Sequence, residues 1–129
     1  MIGIVIVAHG QLAKEYLAAV EHVVGKQEGM RAIATTAECD RAAKQEEICR
    51  AADAVDDGDG VVVVTDLFGG SPSNLSLKAC RCVGRKIVFG ANLPLLIKLA
   101  KSRNLPLEKA VTASLDAGRK YINARNGIA

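Results

Sequence analysis

The sequence of 129 residues has no tryptophan, and aromatic side chains make up only 3% of it. Single-stranded nucleic acids are held largely by bases stacked on aromatic rings, so this shortage removes the platform such a reader depends on. Neither GxxxxGK[ST] nor GxGxxG occurs, so the chain does not hold ATP or a dinucleotide through either of those phosphate cradles. The four cysteines, Cys39, Cys49, Cys80 and Cys82, lack the spacing of a metal site. Cys80 and Cys82 are two apart on a predicted helix and point to different faces. No metal or other cofactor is expected. Long apolar runs are missing too: the opening MIGIVIVAHG holds about seven apolar residues, with no basic start and no cleavage signal. It is too short to cross a bilayer and unlike an export signal, and reads as a first β-strand. A soluble chain in a reducing, cytoplasmic setting follows.

What is present is aliphatic. Half of the residues are hydrophobic, enough for one compact domain over residues 1–129 with a core of Val, Ile, Leu and Ala. The net charge of +3 conceals an asymmetry, with 6 basic and 12 acidic side chains in residues 1–66 against 11 basic and 2 acidic in residues 67–129. The later Lys and Arg residues are dispersed over several predicted helices rather than gathered in one block. They read as a solvated, mildly basic face, not as a nucleic-acid site.

Periodicity orders the elements. Ile2 to Ala8 is a short β-branched run that ends at His9-Gly10. Leu12, Tyr16, Val20 and Val23 recur at helical spacing, which predicts a helix over 11–24 that stops near Gly25. A weaker strand follows over 31–35 and a helix over 37–55, closed by the polar turn Asp56-Asp57-Gly58-Asp59-Gly60. Val61 to Asp66 opens with four consecutive valines, which suit a strand covered on both faces of a parallel sheet. After Gly69-Gly70, Ser71 stands where an N-cap would and Pro72 where the first helical residue would, predicting a helix to about Val83. A fourth strand is predicted over 86–90, then helices over 94–102 and 107–124. Alternating strands and helices imply an α/β fold, an open doubly wound parallel sheet with helices on both faces. An order 2-1-3-4 would make strands one and three neighbours where the strand order reverses.

In such sheets ligands bind beyond the C-terminal strand ends, at that reversal. His9 follows strand one, Asp66 ends strand three and Asn92 follows strand four. A nucleophilic imidazole must be neutral, with one nitrogen protonated and the other carrying a free lone pair. If Asp66 accepts from Nδ1-H, Nε2 becomes the attacking atom and the carboxylate balances charge developing on the ring. Taken singly, His9 could be a polar strand end and Asp66 a turn cap. The Gly69-Gly70-Ser71-Pro72 turn adds an anion cradle, because glycines leading into a helix supply unpaired N–H groups and a positive dipole end. His22, on the polar side of the first helix, has no partner recognisable in the sequence and reads as a surface histidine.

Val7-Ala8-His9-Gly10, Thr65-Asp66-Leu67-Phe68-Gly69-Gly70-Ser71-Pro72 and Gly90-Ala91-Asn92-Leu93-Pro94, in this order at three strand ends, together resemble the IIA component of the mannose family of the bacterial phosphotransferase system. The resemblance spans essentially the whole chain. It implies a phosphocarrier that accepts a phosphoryl group on His9 from the small histidine phosphocarrier HPr, or a paralogue, and passes it to a IIB component, for sugar uptake or regulation. It assigns Asp66 as the hydrogen-bonding partner of His9, and Gly69, Gly70 and Ser71 to the phosphoryl pocket. Members of that family are typically homodimers that exchange a C-terminal β-strand; here Arg125-Asn126-Gly127-Ile128-Ala129 follow the last predicted helix. Two other readings stand beside it. The phosphotransfer subunit of bacterial dihydroxyacetone kinase resembles this fold and also uses a histidine after strand one, but its loop after strand three typically reads like DLGSA. A receiver domain would be phosphorylated on Asp66 and would need an acidic pair where Ala8-His9 stands.

Overall fold

In a computed structural model, which describes residues 1–67 and 70–128, the chain runs β1 (Gly3–His9), α1 (Leu12–Val24), β2 (Met30–Thr35), α2 (Arg41–Val55), β3 (Val61–Thr65) and α3 (Ser71–Ser76). A 3-10 turn (Lys78–Cys80), β4 (Arg85–Val88), α4 (Leu93–Lys101) and α5 (Leu107–Lys120) complete it. The four strands form one parallel sheet in the order β2-β1-β3-β4, the predicted 2-1-3-4.

Every residue of β3 and all of β1 except His9 are buried. Successive side chains of a strand point to opposite faces, and the core divides accordingly. Ile4, Ile6, Ala8, Val62, Val64 and Val88 meet the helices α1, α4 and α5 through Val20, Leu95, Leu96, Leu99 and Ala110. Val5, Val7, Ile33, Val61 and Val63 meet α2 and α3 through Ile48, Ala52, Val55 and Leu75. Fully burying such an aliphatic side chain is worth about 1.5–3 kcal/mol, so the valine run holds the sheet from both sides.

The boundaries depart from expectation where local hydrogen bonds compete. The helix predicted from residue 37 starts at Arg41, because the Asp40 carboxylate accepts the Ala43 N–H at 3.0 Å and so acts as N-cap. The helix predicted to reach Val83 ends at Ser76, whose hydroxyl donates to the Pro72 carbonyl at 2.6 Å, a back-bond that weakens a helix. Gly70 takes the N-cap position and Ser71 is the first helical residue, so the helix starts one residue earlier than predicted. α5 stops at Lys120, and just beyond it the Asn123 side chain accepts the Ala124 N–H at 2.8 Å. Residues 122–128 form no strand. No helix among the described residues is long and apolar enough to cross a membrane.

One buried cation ties the N-terminal edge of the sheet together. Arg103, only 4% exposed, donates to the Ile2 carbonyl at 2.7 Å, the Gly29 carbonyl at 3.0 Å and the Gln27 side chain at 3.3 Å. It lies at the end of the sheet remote from His9.

Candidate functional site

β1 and β3 pair with Val7 opposite Thr65, so Asp66 comes level with Ala8 and His9 stands one residue beyond it, both at the C-terminal edge. Gly10 then turns the chain with φ +57°, a left-handed conformation glycine adopts without strain, and its N–H reaches the Thr35 carbonyl at 2.8 Å. The strand end is thereby fastened to β2 on one side and faces β3 on the other.

The His9 ring Nδ1 lies 2.7 Å from Asp66 Oδ2, and the same oxygen accepts the His9 backbone N–H at 3.0 Å. Asp66 Oδ1 accepts the Leu67 N–H at 3.0 Å. Burial alone would raise the Asp66 carboxyl, but the His9 backbone and ring and the Leu67 N–H outweigh it and hold the group below its ordinary value. Asp66 is therefore an ionised acceptor, and Nδ1 must carry the proton. The lone pair falls on Nε2, which has no hydrogen-bond partner among the described residues, on a side chain 52% exposed against 9% for Asp66. In the neutral ring the accessible atom of the pair is a nitrogen with a free lone pair, able to act as a nucleophile, and the carboxylate behind it can balance positive charge on the ring.

The ring opens onto a cleft of about 450 Å³ lined by His9, Gly10, Thr35, Thr36, Ala37 and Ser71. Ser71 is exposed at the start of α3. Gly70 sits so close to the imidazole that a Cβ built on it would lie 3.3 Å from His9 Cε1 and 3.0 Å from Leu67 Cδ1. Gly69, assigned to the same turn from the sequence, lies outside the described residues. No cluster of three or more potential metal ligands occurs among the described residues. The Cys80 thiol is pushed up to about 11 by burial and stays protonated at neutral pH.

Asn92 occupies the N-cap of α4. Its carbonyl oxygen accepts the Leu95 N–H at 3.0 Å, and its amide nitrogen donates to the Gly118 carbonyl at 2.9 Å. Neither contact is to His9 or Asp66. The neighbouring Ala91 reaches the site edge: its N–H bonds the Thr65 carbonyl at 3.0 Å and its carbonyl accepts the Tyr16 hydroxyl at 3.1 Å. Burial, with a smaller contribution from the Asp66 charge, raises the Tyr16 phenol, so it remains a donor. His22 is exposed in the last turn of α1.

Sequence reasoning missed Tyr16, Thr36 and Arg41. In the sequence Tyr16 reads only as a residue on the core face of a helix. Arg41 donates from Nη1 to Ser71 Oγ at 3.5 Å, a contact between residues thirty apart that no local pattern signals.

Residues 3–116 match the family model described as PTS system fructose IIA component. Comparison with curated proteins finds no match. Among solved structures, the chain is similar to the phosphotransferase system component EIIA of Streptococcus agalactiae, at 28% identity and a TM-score of 0.85 over 96% of this chain and 97% of that one. It is similar also to the PTS IIA protein associated with the fucose utilization operon of Streptococcus pneumoniae, at 29% identity and a TM-score of 0.81 over 95% and 92% of the two chains. The mannose/sorbose specific IIA subunit of Enterococcus faecalis shares the fold at 22% identity, with a TM-score of 0.85 over 98% and 96%.

Proposed function

Because the chain belongs to the family of PTS system fructose IIA components, a phosphotransfer component of the sugar phosphotransferase system, we propose that it carries the phosphoryl group on His9 Nε2. In this reading the group arrives from an HPr-type histidine phosphocarrier and leaves to a IIB component. The observation that carries the reading is the 2.7 Å pairing of His9 Nδ1 with Asp66, set behind a half-exposed ring.

The proposed step needs little beyond position and charge. The Nε2 lone pair forms the new N–P bond while the bond to the donor's ring nitrogen breaks, that nitrogen keeping the electron pair. The donor's phosphohistidine is already activated, so no nucleotide or metal on this chain enters the balance. The transition state is loose and metaphosphate-like, and the site must supply alignment and electrostatic support. Asp66 holds the Nδ1 proton and stabilises the imidazolium; Gly69, Gly70 and Ser71 would meet the phosphoryl oxygens at the start of α3. Asn92 caps α4 and ties it to α5 beside this edge, outside the step itself. A phosphoryl group on Asp66 itself is disfavoured, since both carboxylate oxygens already accept N–H groups and the side chain is 9% exposed.

The same reading takes residues 1–129 as one such domain, working in the cytoplasm as a homodimer. Residues 122–128 form no strand, so an exchanged strand would have to form on association; sedimentation showing only monomer at high micromolar concentration would remove the dimer. The test of the central claim is incubation with phosphoenolpyruvate, enzyme I and an HPr-type carrier, followed by mapping of the label. Acid-labile phosphate on His9 is expected. Label on His22 or Asp66, or undiminished labelling of His9→Ala, would overturn it.

A further inference from the structure

We propose that Arg41 is a phosphate-binding residue of the His9 cleft, closing it over the phosphoryl group from the α2 side. The inference rests on His9 being the phosphoacceptor and adds a ligand for the charge that acceptor must carry. Among the described residues lining the cleft none is a lysine or arginine, while the Asp66 carboxylate stands 2.7 Å behind the ring. A dianionic phosphoryl group on Nε2 would thus lie near a fixed negative charge, and hydroxyl and N–H dipoles alone would have to offset that repulsion.

Arg41 is the cation placed to do it. The wall formed by Thr35, Thr36 and Ala37 leads directly into α2, and the Asp40 N-cap sets Arg41 as the first residue of that helix. From there its Nη1 crosses to Ser71 Oγ at 3.5 Å, at the far limit of a hydrogen bond. Arg41 is exposed and forms no ion pair among the described residues. Its guanidinium has five N–H donors in a planar fork that matches phosphate oxygens two at a time, so one weak contact to a hydroxyl leaves most of them available. The same contact directs the Ser71 oxygen to accept from Arg41, which leaves the hydroxyl proton free to point at the phosphoryl group. Arg41 and Ser71 would then grip it from opposite walls.

The test uses phosphoramidate, a small phosphoryl donor with no docking surface, on the full chain carrying His22→Gln so that label reports on His9 alone. Arg41→Gln should lower the initial rate of His9 labelling about tenfold, the scale of one charge-assisted contact. Arg41→Lys should lose less, Tm should be unchanged, and the phosphorus-31 resonance of phospho-His9 should move in Arg41→Gln. Equal labelling by phosphoramidate together with slower transfer from the HPr-type carrier would assign Arg41 to protein docking and overturn the proposal. An unmoved resonance with an unchanged rate would overturn it as well. Arg41-dependent labelling by phosphoramidate with no transfer from any carrier would instead leave Arg41 in place and sink the carrier reading. Failure of phosphoramidate to label His9 at all would overturn both.

Discussion

His9 gives Asp66 two hydrogen bonds to one oxygen: Oδ2 accepts the backbone N–H at 3.0 Å and the ring Nδ1–H at 2.7 Å. The first anchors the carboxylate to the end of β1, and the second fixes the ring against that anchor. Histidine and aspartate thus hold each other as one rigid unit across two adjacent strands.

Asp66→Asn should keep the fold and lose transfer. With its oxygen in the Oδ1 place an amide still accepts the Leu67 N–H, but its NH2 group then stands where Oδ2 took both His9 donors. It loses the His9 backbone N–H, can donate to Nδ1 and move the ring proton to Nε2, and cannot balance an imidazolium. Losses for comparable removals run from about 10²- to 10⁴-fold. The rate of His9 phosphorylation, measured beside Tm, checks this. An unchanged rate would make the carboxylate purely structural.

The same unit predicts an acid-dependent stability. The Asp66 carboxyl in the folded chain lies below its ordinary value of 3.8, so the unfolded chain binds this proton more readily. The stabilisation is complete above the ordinary value and is lost as pH falls through the lower folded value. The stability gap between the wild type and Asp66→Asn should therefore narrow as pH falls below about 5. Denaturant midpoints across that range measure it, and a constant gap would contradict the assignment.

Gly70→Ala should affect the site more than the fold. The backbone at Gly70, φ −85° and ψ 175°, suits alanine, yet the new Cβ would lie 3.0 Å from Leu67 Cδ1 and 3.3 Å from His9 Cε1. The ring carbon between the two nitrogens must then give by a few tenths of an ångström, enough to misalign Nε2. Labelling should slow by about tenfold with Tm nearly unchanged. Histidine ring resonances that match the wild type would show that Leu67 alone had yielded.

Asn92→Ala should do the reverse. It removes the α4 cap and the tie to the Gly118 carbonyl, a loss of about 1–2 kcal/mol. Thermal or denaturant unfolding checks the size. The folded fraction should still be labelled on His9, and a specific loss of labelling without destabilisation would move Asn92 into the phosphoryl pocket.

Much of this was legible beforehand. The valine strand, the β-branched first strand and the helical spacing of Leu12, Tyr16 and Val20 each follow from one burial pattern repeated locally, and the element order then leaves few topologies. Helix ends were less legible, since Asp40 and Ser76 act through single hydrogen bonds that periodicity does not register.

By itself the sequence determined the parallel α/β class and the placement of His9 and Asp66 at strand ends, because these depend on hydrophobic spacing and on the rules of sheet crossover. The order β2-β1-β3-β4, which makes those ends neighbours, is a property of the packed sheet. Only the tertiary structure decided which atoms meet. It set Asp66 Oδ2 on both donors of His9, committed the Asn92 amide to α4 and α5, buried Arg103 among carbonyls of the opposite edge, and brought Arg41 across to Ser71. Each of these joins segments distant in the chain through a directional contact a few ångströms long, and such geometry exists only once the whole sheet and its helices have packed.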